Sequence, residues 1–330
     1  MRTRIPLILT LTMLLSVIIL SACQAAGQAS AGSVSTATLP VATQAVAKNT
    51  STPQLTETPS LTAVPSLVPT FTSTATPDLR LNPDDWKNWP IVPTFSARAK
   101  EIYQQGLAMG TNPNAFSKIG DCQTINAAFF GIYGRPGEYS FPQGYDYLQG
   151  TVDYYGTNQF ARESIAVRPG FVASSVLSSF VQLDPNVCNK GETPLQCELR
   201  VNRPSVVFIN MEFWYQGRSP DSYSNYMRQI IEYSIDQGAV PILITKADNV
   251  EGDNSINRAT AQLAYDYDLP LWNFWRAVQP LPAHGMDMER NDGFHISVAA
   301  WNTRSFTGLQ VLDAFRKAMA DVTPTDIPQG

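Results

Sequence analysis

The chain has 330 residues, a formal net charge of −5 at pH 7 and only two histidines. Acidic side chains outnumber basic ones and no stripe of Lys and Arg occurs, so nucleic acid is not expected among its partners. Once the N-terminal segments are set aside, about 250 residues of globular composition remain, enough for one domain with a large core.

The first residues predict an export signal. Arg2 and Arg4 precede a short apolar stretch, and small residues then lead directly to Cys23. The stretch is shorter than the ~20 apolar residues of a spanning helix. The segment resembles the cleavage box of bacterial lipoproteins, which implies that residues 1–22 are removed and that Cys23 carries lipid. The chain is therefore expected to be exported and lipid-anchored at the cell surface; ordinary secretion, with no role for Cys23, is the alternative.

Residues 23–80 are rich in Ser, Thr, Ala and Pro. They show no amphipathic period and few large apolar side chains, so burial could not offset the entropy lost on ordering them. We expect an extended tether that spaces the folded part from the membrane. Residues 81–330 are then expected to form one folded domain.

Helical and strand patterns alternate along the rest of the chain. The sequence predicts, in order, a helix over 94–109, a strand over 115–119, a helix from 121 to 130, a loop over 131–156, a helix over 172–180, a strand over 205–209, a helix over 221–237, a strand over 239–245, a helix over 257–267, a strand over 269–273 and a helix over 305–320. Short apolar strands between helices are typical of a parallel sheet buried between two helix layers. The expected fold class is therefore α/β, a three-layer sandwich with a mostly parallel sheet.

Three cysteines remain after Cys23. Cys188 and Cys197 flank a short polar segment, which in an exported chain favours a disulfide. A metal site is the alternative, but no third cysteine or nearby histidine supports it, and neither a metal nor another cofactor is expected. Cys122 is left as a free thiol, which is either a small core residue or a nucleophile.

Two short motifs carry candidate chemistry. Gly120-Asp121-Cys122 follows the first predicted strand, and Asp292-Gly293-Phe294-His295 precedes the last predicted helix. Functional sites of parallel sheets lie beyond the carboxyl ends of the strands, so the two motifs are expected at one edge. A nucleophile, a base and an acid that orients the base are the parts of a hydrolytic triad. Cys122, His295 and Asp292 supply these three parts.

These motifs, in this order, resemble those of the SGNH (GDSL-type) hydrolases. Members of that family are α/β esterases with a serine nucleophile in a Gly-Asp-Ser motif and a terminal Asp-x-x-His. The resemblance implies a hydrolase of carboxylic esters, such as acylated carbohydrate, with Cys122 in place of the serine. It also implies that Gly170, Asn210 and Glu212 lie at or near the oxyanion-hole positions. Glu212 aligns with an asparagine of the family, and its carboxylate would repel an oxyanion unless it were protonated.

The cysteine and Glu212 leave a second hypothesis open. In this alternative the chain is a catalytically inactive SGNH-like module that binds a glycan or has a structural role. An ester or glycan ligand and a monomeric state are expected. Whether the domain is an enzyme depends on whether Cys122 meets His295 in the fold.

Overall fold

A computed structural model of the chain describes residues 78, 80–211, 219–290 and 292–324. The predicted export signal, Cys23 and nearly all of the predicted tether lie outside these residues and stay predictions. Within the described ranges, none of the helices combines the length and the hydrophobicity of a membrane-spanning segment.

Eight α-helices and four strands occur in the described part of the chain. The helices are α1 (Ala97–Met109), α2 (Gln149–Tyr155), α3 (Thr157–Ala161), α4 (Pro194–Asn202), α5 (Pro220–Asp236), α6 (Ser255–Asp266), α7 (Phe274–Val278) and α8 (Val298–Ala318). The strands are β1 (Asn112–Gly120), β2 (Pro204–Asn210), β3 (Val240–Ile244) and β4 (Leu271–Trp272). Short 3₁₀ helices lie at Pro83–Asn88, Gly131–Gly134, Asp146–Leu148, Ser175–Leu177 and Pro282–Gly285.

The four strands form one parallel sheet in the order β1-β2-β3-β4. The register pairs Gly120 at the end of β1 with Asn210 at the end of β2. Every residue of the two central strands, β2 and β3, is buried. Both faces of the sheet are therefore covered, as in a sheet that lies between helices. The predicted α/β fold class, with a parallel sheet flanked by helices, is confirmed.

An extended segment joins the outer edge of β1 where that strand ends. Gly120 forms a parallel bridge with Val167: its N–H donates to Ala166 O at 3.1 Å, and its carbonyl accepts from Arg168 N at 3.3 Å. The chain thus returns on one side of β1 before it continues to β2 on the other side. Ligands of open α/β sheets bind at such a reversal of strand order. Cys122 follows Gly120 by two residues and lies at this point.

The segment after β1 differs from the sequence-based expectation. The predicted helix over 121–130 is wrong, because these residues form a series of turns. Gln123 N donates to Asp121 Oδ1 at 2.9 Å, and Asn126 N donates to Glu163 Oε2 at 2.8 Å. Side-chain acceptors of this kind compete with the helical carbonyls for backbone N–H groups.

Other elements differ in extent. The predicted helix over 172–180 is reduced to the 3₁₀ helix Ser175–Leu177, where Ser175 Oγ accepts from Val172 N at 3.1 Å. The predicted loop over 131–156 contains helix α2. Helix α8 begins well before residue 305, because Ser297 Oγ caps its first turn.

Aromatic rings hold the turn segment 121–130 in the core. Phe130 meets Phe116 of β1 and Phe208 of β2 edge to face, with centroid separations of 5.3 and 5.4 Å. Phe129 contacts Trp272 of β4 at 5.5 Å. Such aromatic pairs each add roughly 0.5–1.5 kcal/mol beyond the area that they bury. These ring contacts therefore hold the turns after β1 against the sheet.

The predicted disulfide between Cys188 and Cys197 is present, with a Cα–Cα distance of 5.4 Å. It closes the short polar segment over residues 189–196. The last three residues of this segment belong to the first turn of α4, which begins at Pro194. Thr193 caps this helix, and its side chain accepts from Gln196 N at 3.2 Å.

Glu198 of α4 is fully buried and joins three segments near the end of β1. Its Oε1 accepts from Ser117 Oγ of β1 at 2.5 Å and pairs with Arg162 at 2.7 Å. Its Oε2 accepts from Ile165 N at 2.8 Å. The carboxylate thereby fixes the extended segment that pairs with β1.

Replacing this carboxylate should destabilise the fold. We expect Glu198→Ala to lower the free energy of unfolding by roughly 3 kcal/mol, because buried donors and part of a guanidinium lose their acceptor. Urea denaturation measures the effect. Glu101→Ala, which removes an exposed partner of Arg98, is the control and should change stability by no more than about 0.5 kcal/mol. Equal losses in the two variants would contradict this role for Glu198.

Candidate active site

Cys122 lies in the first turn after β1 and is half-buried. Its two chain neighbours, Asp121 and Gln123, are buried. The thiol is therefore held at the surface of a tightly packed turn and is not a residue of the deep core. Of the two interpretations of a cysteine outside the disulfide, this position favours the nucleophile over a packing residue.

The Asp-x-x-His motif folds into a closed loop around one carboxylate. Asp292 Oδ1 accepts from Phe294 N at 3.0 Å and from His295 N at 2.9 Å. Asp292 Oδ2 lies 2.6 Å from His295 Nδ1. Gly293 has a φ of 66°, a left-handed conformation that favours glycine. The carboxylate thus holds both the backbone and the ring of the histidine, which directs Nε2 away from the aspartate.

The imidazole reaches the thiol across the site. His295 Nε2 lies 3.9 Å from Cys122 Sγ, although the two residues are 173 positions apart in the chain. The contact is longer than a usual hydrogen bond, as catalytic contacts often are before substrate binds. The imidazole therefore lies between the sulfur and the carboxylate of Asp292, with separations of 3.9 and 2.6 Å.

The surroundings of Asp292 favour its ionised form. Burial raises the pKa of this carboxyl, but the N–H groups of His295 and Phe294 and then the imidazole oppose it, and the net pKa lies below its usual range. An ionised carboxylate can only accept hydrogen bonds. It therefore favours the imidazole form with a proton on Nδ1, which leaves Nε2 of His295 as an acceptor facing the sulfur.

Strained backbone precedes the loop that carries Asp292 and His295, which we call the histidine loop. Residues 283–285 adopt three consecutive left-handed conformations, with φ of 48°, 53° and 85°. Directly after them, Met286 bridges Ile296 in antiparallel fashion, and Asp287 N donates to His295 O at 2.8 Å. Left-handed conformations of non-glycine residues cost about 1–3 kcal/mol each and persist where the surroundings enforce them. Backbone hydrogen bonds on both sides of this bridge therefore hold the segment that carries the imidazole.

Two of the three oxyanion-hole candidates belong to segments that pair with the end of β1. Gly170 is exposed, with a φ of 83°, three residues after Val167. Asn210 ends β2 and is fully buried, and its Nδ2 donates to Thr124 Oγ1 at 2.9 Å. Glu212 lies outside the described residues. The roles of all three candidates stay predictions.

Lys118, which sequence reasoning missed, supports the turn segment from inside β1. Its Nζ donates to Asn126 Oδ1 at 2.5 Å and to Phe129 O at 3.1 Å, and lies 3.7 Å from Glu163. Burial lowers the pKa of Lys118 to about 8, against the opposing effect of the Glu163 carboxylate. A charged residue inside an apolar strand, four positions before Cys122, was the available signal.

Comparisons with known proteins identify distant structural similarities. No protein-family model matches the chain, and no curated protein matches it. The chain is similar to a solved structure described as an SGNH hydrolase from Slackia heliotrinireducens, at 17% identity over 61% of this chain and 100% of that one, with a TM-score of 0.40. It is similar to a lipase/acylhydrolase from Enterococcus faecalis, at 15% identity over 64% and 99% of the two chains, with a TM-score of 0.38. A two-domain esterase active on acetylated mannans is similar at 14% identity over 74% of this chain and 60% of that one, with a TM-score of 0.39.

The buried ammonium of Lys118 should make stability depend on alkaline pH. Because the pKa of Lys118 in the fold, about 8, is below that of an unfolded lysine, the unfolded chain binds more protons in between, and stability rises with pH. We expect the free energy of unfolding to increase by about 1 kcal/mol from pH 8 to about pH 9. This range lies below the pH at which tyrosines with a pKa raised by burial, such as Tyr103 and Tyr133, lower the stability. Urea denaturation across this range measures it. Lys118→Met should abolish the rise, whereas Lys100→Met, at an exposed lysine of α1, should retain it; a rise that survives Lys118→Met would contradict the assignment.

Proposed function

We propose that the chain is an SGNH-like hydrolase of carboxylic esters that acts through Cys122, His295 and Asp292. The observation that carries the proposal is the line of three side chains. The sulfur lies 3.9 Å from one imidazole nitrogen, and the other nitrogen lies 2.6 Å from a carboxylate. The reversal of strand order beside the thiol adds support, because ligands of α/β sheets bind there.

The first half of the reaction transfers the acyl group to sulfur. His295 Nε2 accepts the thiol proton, and the Cys122 thiolate attacks the ester carbonyl carbon, so that a C–S bond forms. The tetrahedral intermediate collapses when its C–O bond to the alcohol breaks. His295 gives its proton to the departing alcohol oxygen, and Asp292 stabilises the imidazolium while it exists. A thioester on Cys122 remains.

The second half returns the enzyme to its starting state. A water molecule replaces the alcohol, and His295 Nε2 accepts one of its protons while the oxygen attacks the thioester carbon. The C–S bond breaks, the carboxylic acid leaves, and the proton returns to the sulfur of Cys122. These steps use only water and the three side chains.

Donors for the oxyanion are part of the proposal. We assign the backbone N–H groups after β1 and at Gly170 to this task, because both belong to segments that pair at the end of the same strand. Asn210 would add a donor with its amide. Glu212 would do so only in its protonated form, since an ionised carboxylate repels the developing charge.

The proposed location rests on the N-terminal segments, and the proposed substrate class rests on that location and on the family resemblance. A lipid on Cys23 and a tether over residues 23–80 would hold a monomeric domain outside the cell, within reach of external esters. Acylated carbohydrate is the substrate class that we propose for this setting.

Ester turnover tests the proposal directly. Hydrolysis of short-chain aryl esters should be lost in Cys122→Ala, and its rate should fall by at least ~10³-fold in His295→Ala. Each substitution removes one of the three side chains that the proposed reaction uses. The matched control is His284→Asn, which changes the other histidine and keeps a residue that tolerates its left-handed backbone. It should retain normal rates. Turnover that persists in Cys122→Ala would refute the assignment.

A binding function is the second candidate, because a cysteine stands at the position of the nucleophile. The 3.9 Å contact between sulfur and imidazole is long for a pair that transfers a proton. No turnover of any ester in a broad panel, together with saturable glycan binding by Cys122→Ala, would favour an inactive SGNH-like module.

A further inference from the structure

A buried glutamine links the two motifs of the site. Gln123 directly follows Cys122 and is 1% exposed. Its Nε2 donates to the carbonyl of Phe294 at 3.1 Å, and Phe294 directly precedes His295. One side chain therefore connects the neighbour of the thiol with the neighbour of the imidazole, across 171 positions of the chain.

Gln123 is held from two further directions. Its backbone N–H donates to Asp121 Oδ1 at 2.9 Å, and its backbone carbonyl accepts from Arg304 Nη1 at 2.5 Å. Arg304 is fully buried on α8, and its guanidinium lies 4.3 Å from the ring centroid of Phe274. A charge-assisted hydrogen bond and a desolvated cation–π contact are both strong interactions inside a protein. The backbone of Gln123 is thus fixed relative to α8, the helix that follows His295.

The receiving side of the link also touches the imidazole. Phe294 is buried, and its ring meets the His295 ring edge on, with centroids 5.0 Å apart. Its N–H is one of the two that Asp292 Oδ1 accepts. A shift of Phe294 would therefore move the ring and the carboxylate together.

The separation of sulfur and imidazole makes this link consequential. Proton transfer needs the two atoms within hydrogen-bond reach, and 3.9 Å leaves little room for further separation. Displacements of about 1 Å at a reacting pair can cost about 10²-fold in rate. A buried amide that ties the two loops is placed to limit this separation.

We propose that Gln123 is a positioning residue that sets the distance between Cys122 and His295 by tying the turn after β1 to the histidine loop. The inference rests on the proposed function in one respect: the thiol and the imidazole act as a pair. Arg304 supports Gln123 from α8.

The test compares two glutamine variants by two measurements. Gln123→Met keeps the length of the side chain and removes the donor to Phe294. The control is Gln159→Met on α3, which removes a partly buried amide that donates to Asn202 Oδ1 at 3.2 Å. We expect Gln123→Met to lower kcat for aryl ester hydrolysis by about 10²-fold with KM nearly unchanged. Gln159→Met should leave both constants in place.

The second measurement is the rate at which iodoacetamide alkylates Cys122, as a function of pH. This rate depends on the thiol–imidazole pair and requires no ester hydrolysis. His295→Ala should slow labelling near neutral pH, and Gln123→Met should remove most of the difference between the proteins with and without His295. A merely structural role would lower the melting temperature and leave the pH profile of labelling unchanged, and that result would overturn the proposal. If Gln123→Met does not fold, Gln123→Leu takes its place, because an aliphatic side chain also cannot donate to the Phe294 carbonyl.

The two proposals fail in different ways. A wild-type protein that hydrolyses no ester, but whose labelling depends on both His295 and Gln123, would refute the hydrolase and support the positioning role. Equal labelling rates in the wild-type protein and in His295→Ala would overturn the positioning role, because the thiol and the imidazole would not act as a pair.

Discussion

The site depends on the carboxylate of Asp292. One of its oxygens accepts two backbone N–H groups, and the other meets the imidazole at 2.6 Å. Three contacts within four consecutive residues thereby orient His295. The fold of the sheet then has to place the thiol near a ring whose Nε2 already points away from the aspartate.

Delivery of the thiol relies on polar groups buried near the end of β1. Lys118, Glu198 and Gln123 each join the strand or the turn after it to another segment through hydrogen bonds. Buried polar groups are costly unless they are satisfied, so an arrangement that satisfies all of them tolerates few alternatives. This network, together with the aromatic rings beneath it, restricts where Cys122 can lie. Precision at the site is therefore a property of the surrounding packing as much as of the three reacting side chains.

Local rules predicted all four strands and four of the eight α-helices in the described part of the chain, namely α1, α5, α6 and α8, because apolar periodicity and caps are encoded within short windows. The same rules were wrong over 121–130, where Asp121 and Glu163 take backbone N–H groups that a helix would have used. One of these acceptors is close in sequence and the other is not. The error therefore arose where tertiary contacts outweigh local propensity, which is also where the site lies.

The sequence alone determined the Asp-x-x-His loop, the thiol after the first strand and the alternation that produces a parallel sheet, because each depends on neighbours along the chain. Only the tertiary structure decided that Sγ and Nε2 approach to 3.9 Å and that Gln123 reaches Phe294. These contacts join residues more than 170 positions apart. Their geometry depends on the strand order, on the register of the sheet and on buried hydrogen bonds, none of which a local pattern encodes.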